Sequence, residues 1–595
     1  MVSPLAEVLG MWWASQTVLV AIAVAAALAG AARADLSVWT LTETRHVLRD
    51  DPAGPTKDVA LGLARNEWRG FQILLRSDAP VKGINIVPGD LTAPDGAVLR
   101  ASDARLYRQH QMELKVGTYR NKDFRPGWYP DPLIPFDHPM TRKALPEARL
   151  KAVPFDLPAN ETHGFWVDLY APMDAKPGQY QGTYRVTASD GKAAEVPVTV
   201  TVWNFALPAV PALVTAFGSP ADQMRGYYAA RAKAGKEAEP TEWPAVEDHC
   251  AEELSRHRIN ATPPAAAVAL KVLENGAFVV PPEQIMFFRM FIDNYHINAF
   301  QVPHPAGAVK DPDKDRERLM AWLKAWDRAA AELARPHVVF YVYLKDEPND
   351  LEAYDYVRSW GRPIFQAKSA VKVMVVEQAK PQNADWGDLI GSVNIWCPLF
   401  SLYREDYDGD RFMTHREPLW TYTALCQGDP PSPWWHIDWP LMNYRVTPWT
   451  AWQCGMTGLL YWGGMAYWNE VGDPWTDAWT YGHAKDGKGL VYNGEGTLVY
   501  PARAVGYDGI VPSLRLKALR DGIEDYEYLM ILRRVHLEPQ ADDVAEPLAA
   551  SWYEWEKDPA AFEKGRRALA DLILKKDTLP RIRVKKVRHH PPIPE

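Results

Sequence analysis

His337-Val-Val-Phe-Tyr-Val-Tyr-Leu-Lys-Asp-Glu-Pro348 is a short apolar run that ends in two adjacent acids. From Val338 to Leu344 every residue is β-branched, aromatic or aliphatic, and prolines bound the run on both sides. That is the pattern of a strand covered on both faces, as in a parallel sheet flanked by helices. Asp346 and Glu347 would lose their hydration if buried unpaired, so they either reach water at the strand's C-terminal end or serve a site there. In a parallel α/β barrel that end is the catalytic face. A second reading fits the same residues: Pro348 followed by Asp350-Leu-Glu-Ala-Tyr354 is a plausible helix start, and the acids could simply lead into it.

Outward from this strand the chain alternates. Further strands are expected at Leu213 to Phe217, Ala299 to Val302, Val371 to Val376, Val393 to Trp396, Leu419 to Thr423 and Gly458 to Trp462. Helical periodicity is clearest from Asp313 to Ala334, where Leu319, Trp322, Leu323, Trp326, Ala330 and Leu333 recur on one face behind Pro312. It returns at Ser513 to Arg534, whose charged residues read as a solvated face with an Arg520–Glu524 pair one turn apart. From about Leu548 to Leu574 a helical extension is expected, interrupted near Pro559. Strand and helix alternation over some 300 residues predicts an α/β fold, a (β/α)8 TIM-like barrel.

Before it, the period is two. Phe71 to Arg76, Gly164 to Tyr170, Gln181 to Thr187 and Val196 to Val202 read as strands of an antiparallel β-sandwich, with a hairpin expected at Pro177-Gly178. Arg125 to Phe136 holds four prolines and reads as a loop. The proline-punctuated Phe205 to Ala212 marks the change of pattern. The expected division is a leader over 1–34, a sandwich over 35–208, a barrel with its helical extension over 209–575, and a solvated basic tail over 576–595. Val18 to Ala32 has the length and composition of a secretory apolar core, with Ala32-Arg-Ala34 before a cleavage point, although no Lys or Arg precedes it. Export to a periplasmic or extracellular location is therefore expected, with no membrane span in the mature chain.

At 595 residues with 47% hydrophobic content the chain can build large cores, and a net charge of −9 without a basic stripe argues against a nucleic-acid partner. Four scattered cysteines (Cys250, Cys397, Cys426, Cys454) make neither a disulfide framework nor a zinc site, so no metal or other cofactor is expected; their default state is buried thiols, with one disulfide open after export.

Twenty-five tryptophans exceed ordinary usage, and many fall where loops should open on the face bearing the acid pair. Trp434, Trp435 and Trp439 follow one strand; Trp462, Trp468 and Trp475 follow the last, around Gly463-Gly464. Clustered indoles suit the C–H faces of sugar rings, with nearby polar groups fixing hydroxyls, although any one tryptophan is more readily core packing than a sugar platform. Candidate substrate-binding residues are therefore Tyr422, Asp438, Trp439, Asn443, Trp462, Trp468 and Trp475, with Arg445 more readily a structural partner of Asp438. The expected ligand is a glycan or glycoconjugate.

Tyr343-Leu-Lys-Asp-Glu-Pro348, Ile437-Asp-Trp-Pro440, Trp449-Thr-Ala-Trp452, Gly458-Leu-Leu-Tyr-Trp462 and above all Arg515-Leu-Lys-Ala-Leu-Arg-Asp-Gly-Ile-Glu-Asp-Tyr-Glu-Tyr-Leu529 resemble glycoside hydrolase family 123 and the wider DUF4091 group. Ala64 to Trp68 and Ala175 to Gly182 resemble that group's N-terminal domain. The resemblance implies a β-N-acetylgalactosaminidase-like enzyme whose adjacent acids match Asp346 and Glu347. It further implies a substrate-assisted, retaining mechanism, with Glu347 as general acid/base and Asp346 orienting the substrate's 2-acetamido group. A glycosidase for another sugar, or a non-catalytic carbohydrate-binding surface protein on the same scaffold, remains the alternative.

Overall fold

The computed structural model describes residues 36–42, 44–404, 407, 417–425, 432–468, 472–481 and 490–578. The expected leader, Cys426 and all but the first residues of the basic tail lie outside them. The fold is mixed α/β, built from sheets and flanking helices.

The N-terminal part is two sheets facing one another. The first has the order Leu36–Leu41, Glu67–Ser77, His163–Ala171, Arg105–Leu114, Gly127–Pro135, with every neighbouring pair antiparallel. The main path of the second runs Val59–Arg65, Ala193–Ala206, Gly178–Thr187, Val81–Val87, Phe155–Leu157. Alternate residues of both, among them Ile73, Leu75, Phe165, Val167, Leu61, Ile86, Val186, Val198 and Val200, point inward and share one core.

Three expectations are corrected here. The pair Val59–Arg65 with Ala193–Ala206 is parallel, so the second sheet is not wholly antiparallel. Pro177-Gly178 makes no hairpin: the strand before it lies in the first sheet and the strand after it in the second, and the hairpin that forms joins Gly178–Thr187 to Ala193–Ala206. The proline-rich Arg125 to Phe136 is largely a strand, Gly127–Pro135, because it is the edge of its sheet, where a missing N–H costs no second ladder.

The C-terminal part places parallel strands where the sequence predicts them. Ala299–Val302, Val339–Lys345, Lys372–Val375 and Ile395–Trp396 pair in chain order, while Trp420–Tyr422, Gly458–Leu460 and Val214–Ala216 pair in that order. Parallel bridges Trp396–Leu419 and Leu399–Tyr422 join the two groups. On the other side, between Val214–Ala216 and Ala299–Val302, the chain at Asn260 replaces ladder bonds with side-chain ones. Asn260 Nδ2 donates to Thr215 O at 2.9 Å, and Asn298 N donates to Asn260 Oδ1 at 3.0 Å. Val214, Ala299, Tyr341, Met374, Ile395, Trp420 and Leu460 meet in one interior cluster. Helices lie outside the strands, Arg316–Leu333 burying the predicted Leu319, Trp322, Leu323, Trp326 and Leu333. Its first turn starts at Arg316, beyond Pro312, so that proline sits in the preceding turn. The helical extension is split into Glu538–Ala545 and Pro559–Leu574, with Leu548 to Asp558 outside either.

The helix Leu514–Arg534 corrects the sequence reading most. Leu514 to Met530 is buried on every side, charges included. Arg515 meets Asp131, Lys517 and Arg520 meet Asp168 at 2.7 and 3.0 Å, Asp521 meets Arg69 at 3.0 Å, and Asp525 meets Arg445 at 2.9 Å. Arg520 reaches Glu524 only at 4.0 Å. The face is not solvated because the first N-terminal sheet, Met442–Gln453 and Pro559–Leu574 all pack on this one helix. Burial alone would push the Asp168 carboxyl up, but Arg520 and Lys517 outweigh it and hold it well below the usual range. Arg445 likewise pairs with Asp525 and Glu563, not with Asp438.

Candidate active site

The Val339–Lys345 strand carries Tyr341 and Tyr343 on its inward face and ends at Asp346 and Glu347, both exposed. Successive strand residues point to opposite faces, so two adjacent acids would normally diverge. Glu347 breaks that alternation with φ of +36°, in the region that residues with a Cβ avoid, and it precedes a proline that restricts it further. Such a conformation costs about 1–3 kcal/mol and persists only where its surroundings impose it. Here both acids reach phenols of the same interior cluster. Tyr343 Oη donates to Asp346 Oδ1 at 2.7 Å, and Tyr422 Oη donates a short hydrogen bond to Glu347 Oε1.

Burial, then the neighbouring acids, push both tyrosine hydroxyls far above their ordinary range, so they remain donors at any pH the protein meets. Each carboxylate thus has one oxygen held by a phenol. The helix that follows, Leu351–Ala367, is capped by Asp350, whose side chain accepts from Ala353 N at 2.7 Å. The helix thus starts where the sequence places it, and capping it falls to Asp350 rather than to the acid pair.

Tyr422 pairs with Leu460 on the adjacent strand, and Trp462 continues that strand's extended path (φ −90°, ψ 174°) at the same rim. Its Nε1 donates to Glu495 Oε1 at 2.6 Å, and its ring lies 4.8 Å from that of Tyr467. Glu495 Oε2 lies 2.8 Å from His436 Nε2, and both side chains are buried. The structure thus groups Asp346, Glu347, Tyr422 and Trp462 at one rim, and adds Tyr343, Glu495 and His436. Tyr343 could have been found as the inward residue three positions before Asp346, and Glu495 from its bracketing glycines, Gly494 and Gly496.

Other candidates are occupied elsewhere. Asp438 is buried and accepts from Thr118 N, Thr118 Oγ1, Asn121 Nδ2 and Asn493 Nδ2 at 2.6–3.2 Å, so it fastens an N-terminal loop rather than a hydroxyl. Asn443 is buried in Met442–Gln453, its amide donating to Trp434 O at 2.8 Å. Trp468 and Trp475 are core residues whose indoles donate to Val499 O and Pro501 O. Trp435 is also buried; Trp439 is half-buried and stacks on Trp434 with centroids 5.6 Å apart. Cys250 and Cys397 are buried free thiols, and Cys454 is half-buried. Among the described residues no cluster of His, Cys, Asp or Glu could hold a metal ion, and no helix is long and apolar enough to cross a membrane.

Comparison with known proteins identifies the class. The model of the glycoside hydrolase 123 catalytic domain matches residues 319–532, a span that includes the acid pair, and that of the glycoside hydrolase 123 N-terminal domain matches 39–188. A solved family 123 glycoside hydrolase from Clostridium perfringens, described in connection with glycolipid glycan hydrolysis, superposes with a TM-score of 0.62 at 15% identity, covering 91% of this chain and 98% of that one. A family 39 glycoside hydrolase from Bacteroides cellulosilyticus (TM-score 0.29, 10% identity, 78% and 82% covered) and a Bacteroides ovatus GH5 xyloglucanase (0.23, 10%, 78% and 98%) are more distant. No curated protein matches the chain in sequence. The protein is a glycoside hydrolase. It belongs to glycoside hydrolase family 123.

Proposed function

We propose that this enzyme cleaves β-linked N-acetylhexosaminides, N-acetylgalactosaminides foremost, from glycans or glycoconjugates by a substrate-assisted mechanism that retains configuration. The observation that carries the proposal is the pair of adjacent exposed carboxylates, each with one oxygen held by a phenol of the same interior cluster. A glycosidase working with its own nucleophile needs two carboxyl groups on opposite sides of the scissile bond. Two carboxylates adjacent in sequence and turned to one interior suit a reaction in which the substrate supplies the nucleophile.

In that reaction the acetamido carbonyl oxygen attacks the anomeric carbon, and the bond to the leaving oxygen breaks as Glu347 protonates it. Asp346, steadied by Tyr343, orients the acetamido group and offsets the charge that develops on its nitrogen. Glu347, now ionised, takes a proton from water as the water opens the oxazoline. Tyr422 holds one oxygen of Glu347 throughout, leaving the other for proton transfer. The reading goes with a sandwich domain over 35–208 and a (β/α)8 barrel over 209–575, which would set the acids at the C-terminal end of a barrel strand. Export through the 1–34 leader would bring the enzyme to extracellular glycans.

The test is a panel of aryl β-glycosides, led by the N-acetylgalactosaminide and N-acetylglucosaminide, against wild type and Glu347→Gln. Release of aryl alcohol by wild type but not by a folded Glu347→Gln is expected, together with inhibition by a thiazoline analogue of N-acetylgalactosamine. Near-wild-type turnover by Glu347→Gln refutes the acid assignment. Cleavage of other glycosides without thiazoline inhibition refutes the acetamido mechanism, and glycan binding without product refutes catalysis.

A further inference from the structure

We infer that Glu495 is a positioning residue: buried against His436, it holds the indole of Trp462 as a fixed wall of the sugar site. The inference rests on reading Asp346 and Glu347 as the catalytic pair. Trp462 stands at their rim, two residues beyond Leu460, whose strand partner Tyr422 bonds Glu347.

A carboxylate that is 1% exposed is costly unless it is paired, and Glu495 accepts from the Trp462 indole at 2.6 Å while its other oxygen lies 2.8 Å from His436 Nε2. The backbone around it is built for that placement. Gly494 and Gly496 have φ of +75° and +69°. A Cβ on Gly496 would fall 2.8 Å from Tyr467 Cβ and 3.1 Å from the Trp462 ring, and one on Gly494 2.9 Å from the Arg515 guanidinium. Arg515 Nη1 donates to Gly494 O at 2.9 Å, Gly496 N donates to Tyr461 Oη at 2.8 Å, and Thr480 Oγ1 donates to Glu495 O at 2.6 Å. Every side of the turn is tied, so the carboxylate has one place to be.

The neighbouring tryptophans show what simple packing requires. The buried indoles of Trp468 and Trp475 are satisfied by backbone carbonyls at 2.8 and 3.0 Å. Trp462, half-buried at the rim, has instead a charge-assisted bond, about twice as strong as a neutral one. A rigid, half-buried aromatic face at the rim suits a pyranose, which presents C–H bonds on one side.

The test measures 4-nitrophenyl N-acetyl-β-galactosaminide turnover by the full chain carrying Glu495→Ala, Glu495→Gln, Trp462→Phe or Glu495→Ala with Trp462→Phe. Losing a bond to a charged group predicts that Glu495→Ala raises KM about tenfold or more while kcat stays within about threefold. Glu495→Gln, which keeps an acceptor for the indole, should recover most of that. On the Trp462→Phe background, which lacks the N–H, Glu495→Ala should add less than about twofold. A fall in kcat with KM unchanged, or effects that multiply in the double variant, overturns the inference. Independently of any sugar, the ¹⁹F resonance of 5-fluorotryptophan-labelled enzyme that disappears in Trp462→Phe should shift or broaden in Glu495→Ala. If that variant does not fold, the same resonance is read in the isosteric Glu495→Gln. An unmoved resonance overturns the positioning role. A moved resonance in an enzyme that leaves the aryl glycoside intact supports that role and refutes the substrate reading.

Discussion

Arg515→Met should be among the most damaging single substitutions in the molecule, although Arg515 belongs to no proposed catalytic group. Both it and Asp131 have no exposed side-chain surface. Arg515 makes three bonds of 2.9 Å: Nε to Asp131 Oδ1, Nη2 to Asp131 Oδ2 and Nη1 to Gly494 O. Methionine fills much of the volume but leaves the Asp131 carboxylate buried with only the Tyr500 hydroxyl. Removing one partner of a buried pair costs about 3–5 kcal/mol, most of it the uncompensated charge left behind. With a urea slope of about 3 kcal/mol per molar for a large unfolding unit, the midpoint should fall by roughly 1–1.7 M. The diagnostic comparison is the double variant Arg515→Met with Asp131→Asn. It removes the stranded charge and should recover at least half of the loss, since replacing both partners is far cheaper than removing one. Urea unfolding followed by tryptophan fluorescence reads all four corners of the cycle. A single variant within about 1 kcal/mol of wild type, or a double variant as unstable as the sum of the singles, would refute the reasoning.

Tyr422→Phe removes the donor that holds Glu347, and a bond to a charged group of about 1.5–3 kcal/mol predicts a loss of about 10–150-fold in kcat/KM, checked by steady-state kinetics. Gly496→Ala puts a Cβ 2.8 Å from Tyr467 Cβ at a φ of +69°, so thermal unfolding should show a loss of about 1–2 kcal/mol and KM should rise with it. Burial pushes His46, His110 and His163 down to about 4, and the His110 Nε2–H donates to Trp475 O at 2.8 Å. As pH drops below 6.5 the unfolded chain takes up these protons before the folded one does. Stability should therefore fall between pH 6.5 and about 4, and flatten below that. His110→Gln should shallow the decline in a Tm-against-pH series.

The parallel strands were legible because each is a short apolar run bounded by turn residues, and Val338 to Leu344 differs from the observed Val339–Lys345 by one residue. Asp346 and Glu347 were legible for the converse reason, as charges where the apolar pattern stops. What the sequence hid was the direction of long-range contacts. The charges on Leu514–Arg534 look like a solvated helix face because their partners Asp131, Asp168 and Arg69 lie hundreds of residues upstream. The aromatic loops misled in the same way. Trp468 and Trp475 are indistinguishable by composition from Trp462, and only the backbone decides that two bury their edges on carbonyls while the third stands at the rim. Gly127–Pro135 is a strand despite its prolines because it is an edge, a property of the sheet and not of the segment.

The residues that most specifically mark the family in this chain therefore do not touch the acids. The Arg515 to Leu529 segment addresses three separate strands of the first N-terminal sheet: Asp131 on Gly127–Pro135, Asp168 on His163–Ala171, and Arg69 on Glu67–Ser77. Apolar residues at those positions could supply comparable or greater stability, since buried ion pairs often only break even with hydrophobic replacements. What charges add is register: each must meet its own partner, and a sheet shifted by one residue would strand several at once. That register is passed on. Asp131 fixes Arg515, Arg515 fixes the Gly494 carbonyl, and the next residue, Glu495, fixes Trp462. The N-terminal domain thereby reaches the rim of the candidate active site through an unbroken line of buried polar contacts, and its removal would strand Arg515 and release the turn that aims the tryptophan.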